Sequence, residues 1–117
     1  MESRTQTLVA VPPLSPELQP RPIVCWEAGD RRLYAEVIQS IPERGTCWVR
    51  PLMLVEGAGV IDLRVAPDLV WSAAPFRQAL DVEAVPLLSD LPPTPELSCA
   101  SQARWQLNQF LRQAWAE

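Results

Sequence analysis

Proline is the residue that most constrains this chain, because it fixes one backbone dihedral and removes a hydrogen-bond donor. The 117-residue sequence contains 13 prolines, about twice the usual share of roughly 5%. They are concentrated in residues 1–22 and 86–95. Such segments resist regular structure, so we expect a flexible lead-in over residues 1–22 and a linker over residues 89–100. The ordered domain is then expected between them, over residues 23–88.

The lead-in has an alternative role as a binding segment. Pro13 and Pro16 have the PxxP spacing, which is typical of polyproline II ligands for aromatic grooves. The apolar run Leu8–Val11 is only four residues long, too short for the core of a secretory signal. No stretch approaches the roughly 18 apolar residues of a transmembrane helix. We therefore expect a cytoplasmic protein without a membrane span.

Apolar residues between the two proline-rich segments recur with the period of β-strands. We predict strands at 23–28, 32–41, 46–55 and 60–65, with glycine-containing turns between them. Residues 68–71 are interpreted as a fifth short strand or a helical turn. Four or five short strands with tight turns favour a small antiparallel barrel of the SH3/Tudor-like kind, because closure removes exposed sheet edges. The alternative is a curled sheet covered by the C-terminal segments.

The alternation also predicts which side chains share a face of the strands. Leu33, Ala35 and Val37 share one face of the second strand, opposite Tyr34, Glu36 and Ile38. In the third strand the faces are formed by Cys47, Val49 and Pro51 and by Trp48, Arg50 and Leu52. Pro51 cannot donate a ladder hydrogen bond, so we expect an edge, a bulge or a bend there.

The segments that follow the barrel are predicted from local signals. Pro75 before the apolar pair Phe76 and Leu80 suggests a helical turn, and residues 82–88 suggest an added strand. Residues 101–116 are predicted to form an amphipathic helix, because their apolar residues fall on one stripe at helical spacing: Ala103, Leu107, Phe110, Leu111 and Ala114. This helix either docks on the barrel or binds a partner.

Composition and charge argue against several functions. The net charge is −4 and there is no histidine, so the commonest general base and metal ligand is missing. An acidic chain is also a poor nonspecific ligand for nucleic acid. Cys25, Cys47 and Cys99 form no CxxC pair, which favours free thiols in a reducing compartment. We expect no cofactor, no metal, no small-molecule substrate and no enzymatic activity.

Two further side-chain sets have competing interpretations. Asp62, Asp68, Asp81 and Glu83 lie near arginines in the sequence, so they form either ion pairs and caps or, as the alternative, a carboxylate acid/base site. The three cysteines are either small buried side chains or nucleophiles. A disulfide between Cys25 and Cys47 requires their strands to be neighbours.

The five tryptophans point to protein binding. Trp26, Trp48 and Trp71 either fill the core or form a surface aromatic groove. We predict a partner-binding set that comprises Trp48, Arg50, Tyr34, Trp105 and Trp115. The leading hypothesis is a non-enzymatic adaptor or assembly factor. The alternative is a regulatory nucleic-acid-associated barrel, in which Trp48 stacks on bases beside a row of arginines at positions 31, 32, 44 and 50.

Three strings in the middle of the chain are similar to a known group of proteins. TCWVRPLML, IDLRVAPDLVW and FRQALDVEAVPLL resemble a group of small cyanobacterial proteins with an SH3-like β-barrel, over residues 23–91. The resemblance implies a cytoplasmic protein of a photosynthetic bacterium. It also implies a role among accessory or assembly factors, with a photosynthesis-related complex as the expected target, and it identifies no catalytic residues.

Overall fold

A computed structural model describes residues 21–116 of the chain. The predicted lead-in, including the Pro13–Pro16 spacing, lies outside the described residues except for Arg21 and Pro22. The described part contains six strands and two α-helices. They are β1 (Ile23–Ala28), β2 (Arg31–Ile41), β3 (Thr46–Glu56), β4 (Gly59–Asp62), β5 (Leu69–Ser72), β6 (Phe76–Gln78), α1 (Asp81–Ser89) and α2 (Ala100–Ala116).

All six strands belong to one antiparallel sheet. Five of them have the order β4-β3-β2-β1-β6, and β5 pairs with β3 outside this order. The long strand β3 is paired with β2 along one edge. Its other edge pairs with β5 through Thr46–Val49 and with β4 through Met53–Glu56. Within the described residues the sheet is not closed. The prediction of a small, mainly antiparallel β domain with a C-terminal helix is confirmed, and the sheet has six strands rather than the four or five expected.

A bulge beside Pro51 lets β3 contribute to both faces of the sheet. Ala35 pairs with Pro51 and Tyr34 pairs with Met53, so Leu52 is an extra residue in the ladder. Cys47 and Val49 face one core, and the alternation changes phase after the bulge, as expected when one residue is inserted. The expectation of a bulge, bend or edge at Pro51 is therefore confirmed.

Helix α2 docks on one face of the sheet. Its buried stripe packs against Trp26, Leu33 and Leu54, and all five residues of the predicted stripe are buried: Ala103, Leu107, Phe110, Leu111 and Ala114. Arg31 is also buried, with its guanidinium 5.5 Å from the centroid of the Phe110 ring. Of the two expectations for this helix, the structure shows docking.

Helix α1 covers the opposite face of the sheet, where it packs against Cys25, Tyr34 and Met53. The predicted strand at residues 82–88 is therefore wrong. Ala84, Leu87, Leu88 and Leu91 have the 3–4-residue spacing of a helical face, and these residues pack on the sheet. Residues 76–78, predicted as a helical turn, form β6 and pair with Val24–Trp26, because sheet pairing outweighs a weak local preference.

The proline-rich segment after α1 joins the helices on the two faces of the sheet. Arg64 donates from Nη2 to the backbone oxygen of Pro92 over 2.6 Å. Leu91 packs with the α1 cluster, and a 3-10 turn at Leu97–Cys99 leads into α2. The segment predicted as a linker thus contacts the rest of the domain at two points, the loop residue Arg64 and the α1 cluster.

Candidate functional site

Trp48 and Arg50 lie on the same side of β3, as the alternation predicts, and both bind one carboxylate. Asp68 accepts hydrogen bonds from Trp48 Nε1 at 3.0 Å and from Arg50 Nε at 3.1 Å and Nη2 at 3.2 Å. The Arg50 bonds, and then the Trp48 bond, hold the pKa of Asp68 below its ordinary value. The polar atoms of Trp48, Arg50 and Asp68 are thus paired with one another. The indole ring of Trp48 is the part of this trio that can offer apolar contact area to a partner.

An apolar groove lies at the end of the sheet where β3 begins. It has a volume of about 330 Å³ and is lined by Thr46, Val70, Trp71, Ser72 and Trp115. Thr46 pairs with Ser72 across the β3–β5 ladder, and Trp115 comes from the last turn of α2. The docking of α2 therefore brings together a strand and a helix end that are more than 40 residues apart. We refer to these five residues as the aromatic groove.

The two indole rings of the aromatic groove are perpendicular to each other. Trp71 and Trp115 have ring centroids 5.8 Å apart and an interplanar angle of 88°. Trp71 also packs at 5.9 Å on Trp26, which anchors it to the core. Trp115 is 72% exposed and Val70 is 64% exposed. The groove thus combines a fixed ring on the core side with a largely exposed ring on the solvent side.

The indole nitrogen of Trp71 has an unusual environment. Its Nε1 atom is buried, and among residues 21–116 it has no hydrogen-bond partner. A buried donor without an acceptor costs about 1–3 kcal/mol.

Trp48 lies outside the groove, next to one of its members. It is paired with Val70 across the β3–β5 ladder, and residues directly opposite each other in a ladder project from the same face, which for Val70 is the face away from Trp71. The sequence predicted Trp48 and Trp115 separately as partner-binding residues; the structure places Trp115 in the groove and Trp48 across the ladder from Val70. Val70 itself was missed. The signal that could have found it is a valine at an outward position of a short strand next to Trp71.

The other predicted partner-binding residues lie elsewhere. Tyr34 is fully buried under α1, where it is unavailable to a partner while that helix is in place. Its hydroxyl donates to Glu83 Oε2 at 2.9 Å, and burial followed by this hydrogen bond raises its pKa. Trp105 is 57% exposed, but at 100° per residue it projects from the side of α2 opposite the buried stripe.

The arginines proposed to form a nucleic-acid surface do not form a row. Arg31 is buried against Phe110, and Arg32 donates to the hydroxyl of Tyr34 on the opposite face of the sheet. Arg50 is paired with Asp68, while Arg44 lies in the exposed 3-10 turn Pro42–Arg44. The expectation of a shared arginine face is wrong, because consecutive strand residues project in opposite directions.

The four carboxylates are likewise separated. Asp62 is held by Arg64, Asp68 by Arg50 and Glu83 by Arg77, and the Arg64 bonds lower the pKa of Asp62. Asp81 is exposed at the start of α1. Ion pairing describes three of these side chains, and the structure does not bring the four together.

The cysteines are free thiols in different surroundings. Cys25 lies under α1 and Cys47 lies in the core on the other face of the sheet. Strand β2 separates their strands, so the geometry for a disulfide between them is missing. Burial raises the pKa of both thiols. Cys99 is exposed, with its Sγ 3.8 Å from Glu96 Oε1.

Two searches of the described residues were negative. No group of three or more aspartate, glutamate and cysteine side chains in residues 21–116 has the geometry to hold a metal ion. No helix in the same part of the chain has the length and hydropathy to cross a membrane. Comparison of the chain with models of protein families, with curated proteins and with solved structures found no match.

Proposed function

We propose that this protein is a non-enzymatic binding module that holds another polypeptide in the aromatic groove. The single observation that carries the proposal is that the exposed side chains of Trp115 and Val70 line one groove with the fixed ring of Trp71. Exposed apolar side-chain surface is unfavourable in water. A partner that covers it lowers the free energy by about 25 cal/mol for each Å² of apolar surface buried. Tryptophan is also among the residues that contribute most to protein interfaces.

The surroundings of the groove support a peptide or protein ligand. Trp48 lies across the ladder from Val70, and the Arg50–Asp68 pair lies beside Trp48 on the same side of β3. These side chains border the groove at Val70, and protein interfaces commonly have an apolar centre within a polar rim. Of the predicted set, Trp115 lines the proposed site, Trp48 and Arg50 lie at its edge, and Tyr34 and Trp105 lie elsewhere.

A cytoplasmic adaptor or assembly factor is the role that we propose for this module. Support for a photosynthesis-related complex as its target comes from the sequence resemblance over residues 23–91 alone. The fold supplies a rigid support, since the groove is built on a sheet strand and a docked helix. The geometry of the groove supports a binding site for a polypeptide, and the sequence resemblance alone points to the complex that contains this polypeptide.

The proposal is tested by affinity capture with paired variants of the full chain. Val70→Glu places a charge in the groove, and Val82→Glu places the same charge on α1, where Val82 is 81% exposed. Trp115→Ala removes the exposed groove ring, and Trp105→Ala removes the ring on the other side of α2. We expect one protein to be retained by the wild type and by the two control variants and lost by the two groove variants.

Three outcomes would count against this site. The first is that no protein is retained reproducibly by the wild type. The second is that Val82→Glu or Trp105→Ala causes the same loss as its groove counterpart. The third is that the groove variants retain the protein. Circular dichroism of each variant shows whether the fold is intact before the captures are compared.

A further inference from the structure

We propose that the aromatic groove is occupied by a segment of the same chain, residues 8–16, which an outside partner must displace. This inference rests on the proposed function, because it takes the groove to be a binding site for a polypeptide. The segment reads LVAVPPLSP and belongs to the 20 residues that precede the described part of the chain. Two properties of the groove and of the chain support it as the occupant.

The first property is chemical complementarity. Residues 8–16 contain no charged side chain, and three of the nine are proline. The groove is formed largely by the rings of Trp71 and Trp115 and by Val70. Proline-rich segments bind aromatic grooves with little loss of conformational entropy, because their backbone is already restricted. The charged residues of the lead-in, Glu2, Arg4, Glu17 and Arg21, all lie outside this segment.

The second property is where the described chain begins. The backbone oxygen of Pro22 accepts a hydrogen bond from Val37 N at 2.9 Å, so the chain reaches β1 beside the second half of β2. That half of β2 runs toward Ile41, which pairs with Thr46 in the groove. The lead-in therefore joins the domain from the end of the sheet at which the groove lies.

The reach of the chain is sufficient. Pro22 is hydrogen-bonded to Val37, Val37 pairs with Val49 and Val49 pairs with Leu69, so β5 is three strand spacings, about 14 Å, from the start of the described chain. Trp71 lies two residues farther along β5, or about 7 Å, which gives a straight-line distance of about 16 Å. Pro22 follows Pro16 by six residue steps, which span about 19 Å at about 3.1 Å per residue in the polyproline II conformation.

The consequence is competition at the site. A tethered segment acts at an effective concentration in the millimolar range when its linker is short. A partner that binds the groove therefore meets a local competitor, and a partner that also binds the lead-in would open the groove.

A spin-label experiment on the full-length chain tests the proposal. Cys99→Ser removes the exposed thiol, and Thr7→Cys, immediately before the segment, provides a site for a nitroxide. The ¹⁵N-labelled chain reports the indole N–H signals, each assigned by a Trp→Phe substitution. We expect the nitroxide to broaden the indole N–H signals of Trp71 and Trp115, so that they lose most of their intensity. The indole N–H signal of Trp105 is expected to keep its intensity.

Paired variants and a mixed sample identify the occupant. Pro13→Glu places a charge within the segment and is expected to restore the Trp71 and Trp115 signals, whereas Pro20→Glu, outside the segment, should leave them broadened. In a mixture of ¹⁵N chain without nitroxide and nitroxide chain without ¹⁵N, we expect no broadening. Broadening in that mixture would mean that a second copy is the occupant, and this would overturn the proposal.

The remaining outcomes also decide the question. Indole signals that keep their intensity, or a Pro13→Glu variant with unchanged broadening, would overturn the proposal. The capture experiment with Val70→Glu and Trp115→Ala does not depend on the lead-in. A result in which the two groove variants lose the captured protein while the nitroxide leaves the Trp71 and Trp115 signals unchanged would support the proposed function. That combination would overturn only the inference that residues 8–16 occupy the groove.

Discussion

At the scale of single residues, Glu83 joins three parts of the fold through one carboxylate. It accepts hydrogen bonds from Arg77 Nη1 at 2.8 Å, from Leu80 N at 2.8 Å and from the Tyr34 hydroxyl at 2.9 Å. Strand β6, the start of α1 and the sheet are thereby connected. These bonds, first those from Arg77 and then that from Leu80, lower the pKa of Glu83 to about 2.

This lowered pKa predicts an acid-sensitive contribution to stability. Because the folded-state pKa is below the ordinary value of 4.5, the contribution is fully present above about pH 5 and is lost as the pH falls toward 2. We expect Glu83→Gln to lower the free energy of unfolding by about 1–3 kcal/mol at pH 7, since solvent partly screens the Arg77 pair. The difference from wild type should shrink toward pH 2.

Urea unfolding of wild type and Glu83→Gln at pH 7, 4, 3 and 2 measures this effect. Asp81→Asn is the control, because Asp81 is an exposed acidic residue in the same first turn. A Glu83→Gln variant whose deficit stays the same at every pH would contradict the lowered pKa. So would an Asp81→Asn variant with an equal deficit.

Residue-level prediction from sequence succeeded where the alternation of a strand was sufficient. The shared face of Trp48 and Arg50 follows from their spacing. The role of Asp68 does not, because it depends on the pairing of β3 with β5, which brings together residues 18–20 positions apart. The proximity of Trp115 to Trp71 was inaccessible for a similar reason, since it depends on how α2 docks.

At the scale of elements, the long strands were predictable and the short segments were not. Strands β1, β2 and β3 have strong local patterns and clear turn residues. Segments 76–78 and 81–89 have weak patterns, and contacts with β1 and with the sheet decide their conformation. The sequence predicts an added strand at residues 82–88, yet these residues belong to α1 and Pro86 lies inside that helix.

The position of Pro86 predicts that α1 can be stabilised. Pro86 is exposed in the helix interior, where proline removes a backbone hydrogen bond and is unfavourable by about 3 kcal/mol relative to alanine in model helices. We expect Pro86→Ala to raise the free energy of unfolding by about 1 kcal/mol. The gain is smaller than in model helices because alanine also increases the conformational entropy of the unfolded chain.

Pro92→Ala is the matched control for this change. Pro92 lies outside the helices, so replacing it should lower stability by about 0.4–1 kcal/mol through the greater freedom of the unfolded chain. Urea midpoints compare the two variants directly. A Pro86→Ala variant less stable than the wild type would show that α1 requires the proline ring for its geometry.

At the scale of the whole molecule, a single sheet supports helices on both faces. Trp26 occupies the centre of the α2 side, with ring centroids 5.3 Å from Phe110, 5.6 Å from Phe76 and 5.9 Å from Trp71. Loss of α2 would expose this cluster together with Leu33 and Leu54. The binding groove shares Trp71 with the cluster, so its shape depends on the docking of α2.

This dependence predicts that the sheet and α2 unfold together. Leu107 is fully buried at the centre of the α2 contact, and Leu107→Ala is expected to cost about 2–5 kcal/mol. Trp105→Ala, on the opposite side of the same helix, should change stability by less than about 0.5 kcal/mol.

Urea unfolding followed by far-ultraviolet circular dichroism and by tryptophan fluorescence distinguishes cooperative from stepwise loss. If α2 is part of the core, the two signals should coincide for wild type and for Leu107→Ala, since helix loss and solvent exposure of Trp26 and Trp71 then occur in one transition. Helicity that is lost before the fluorescence changes would mean that the sheet survives without α2. The aromatic groove would then exist only in the fraction of molecules with the helix docked, and partner affinity would fall in proportion to that fraction.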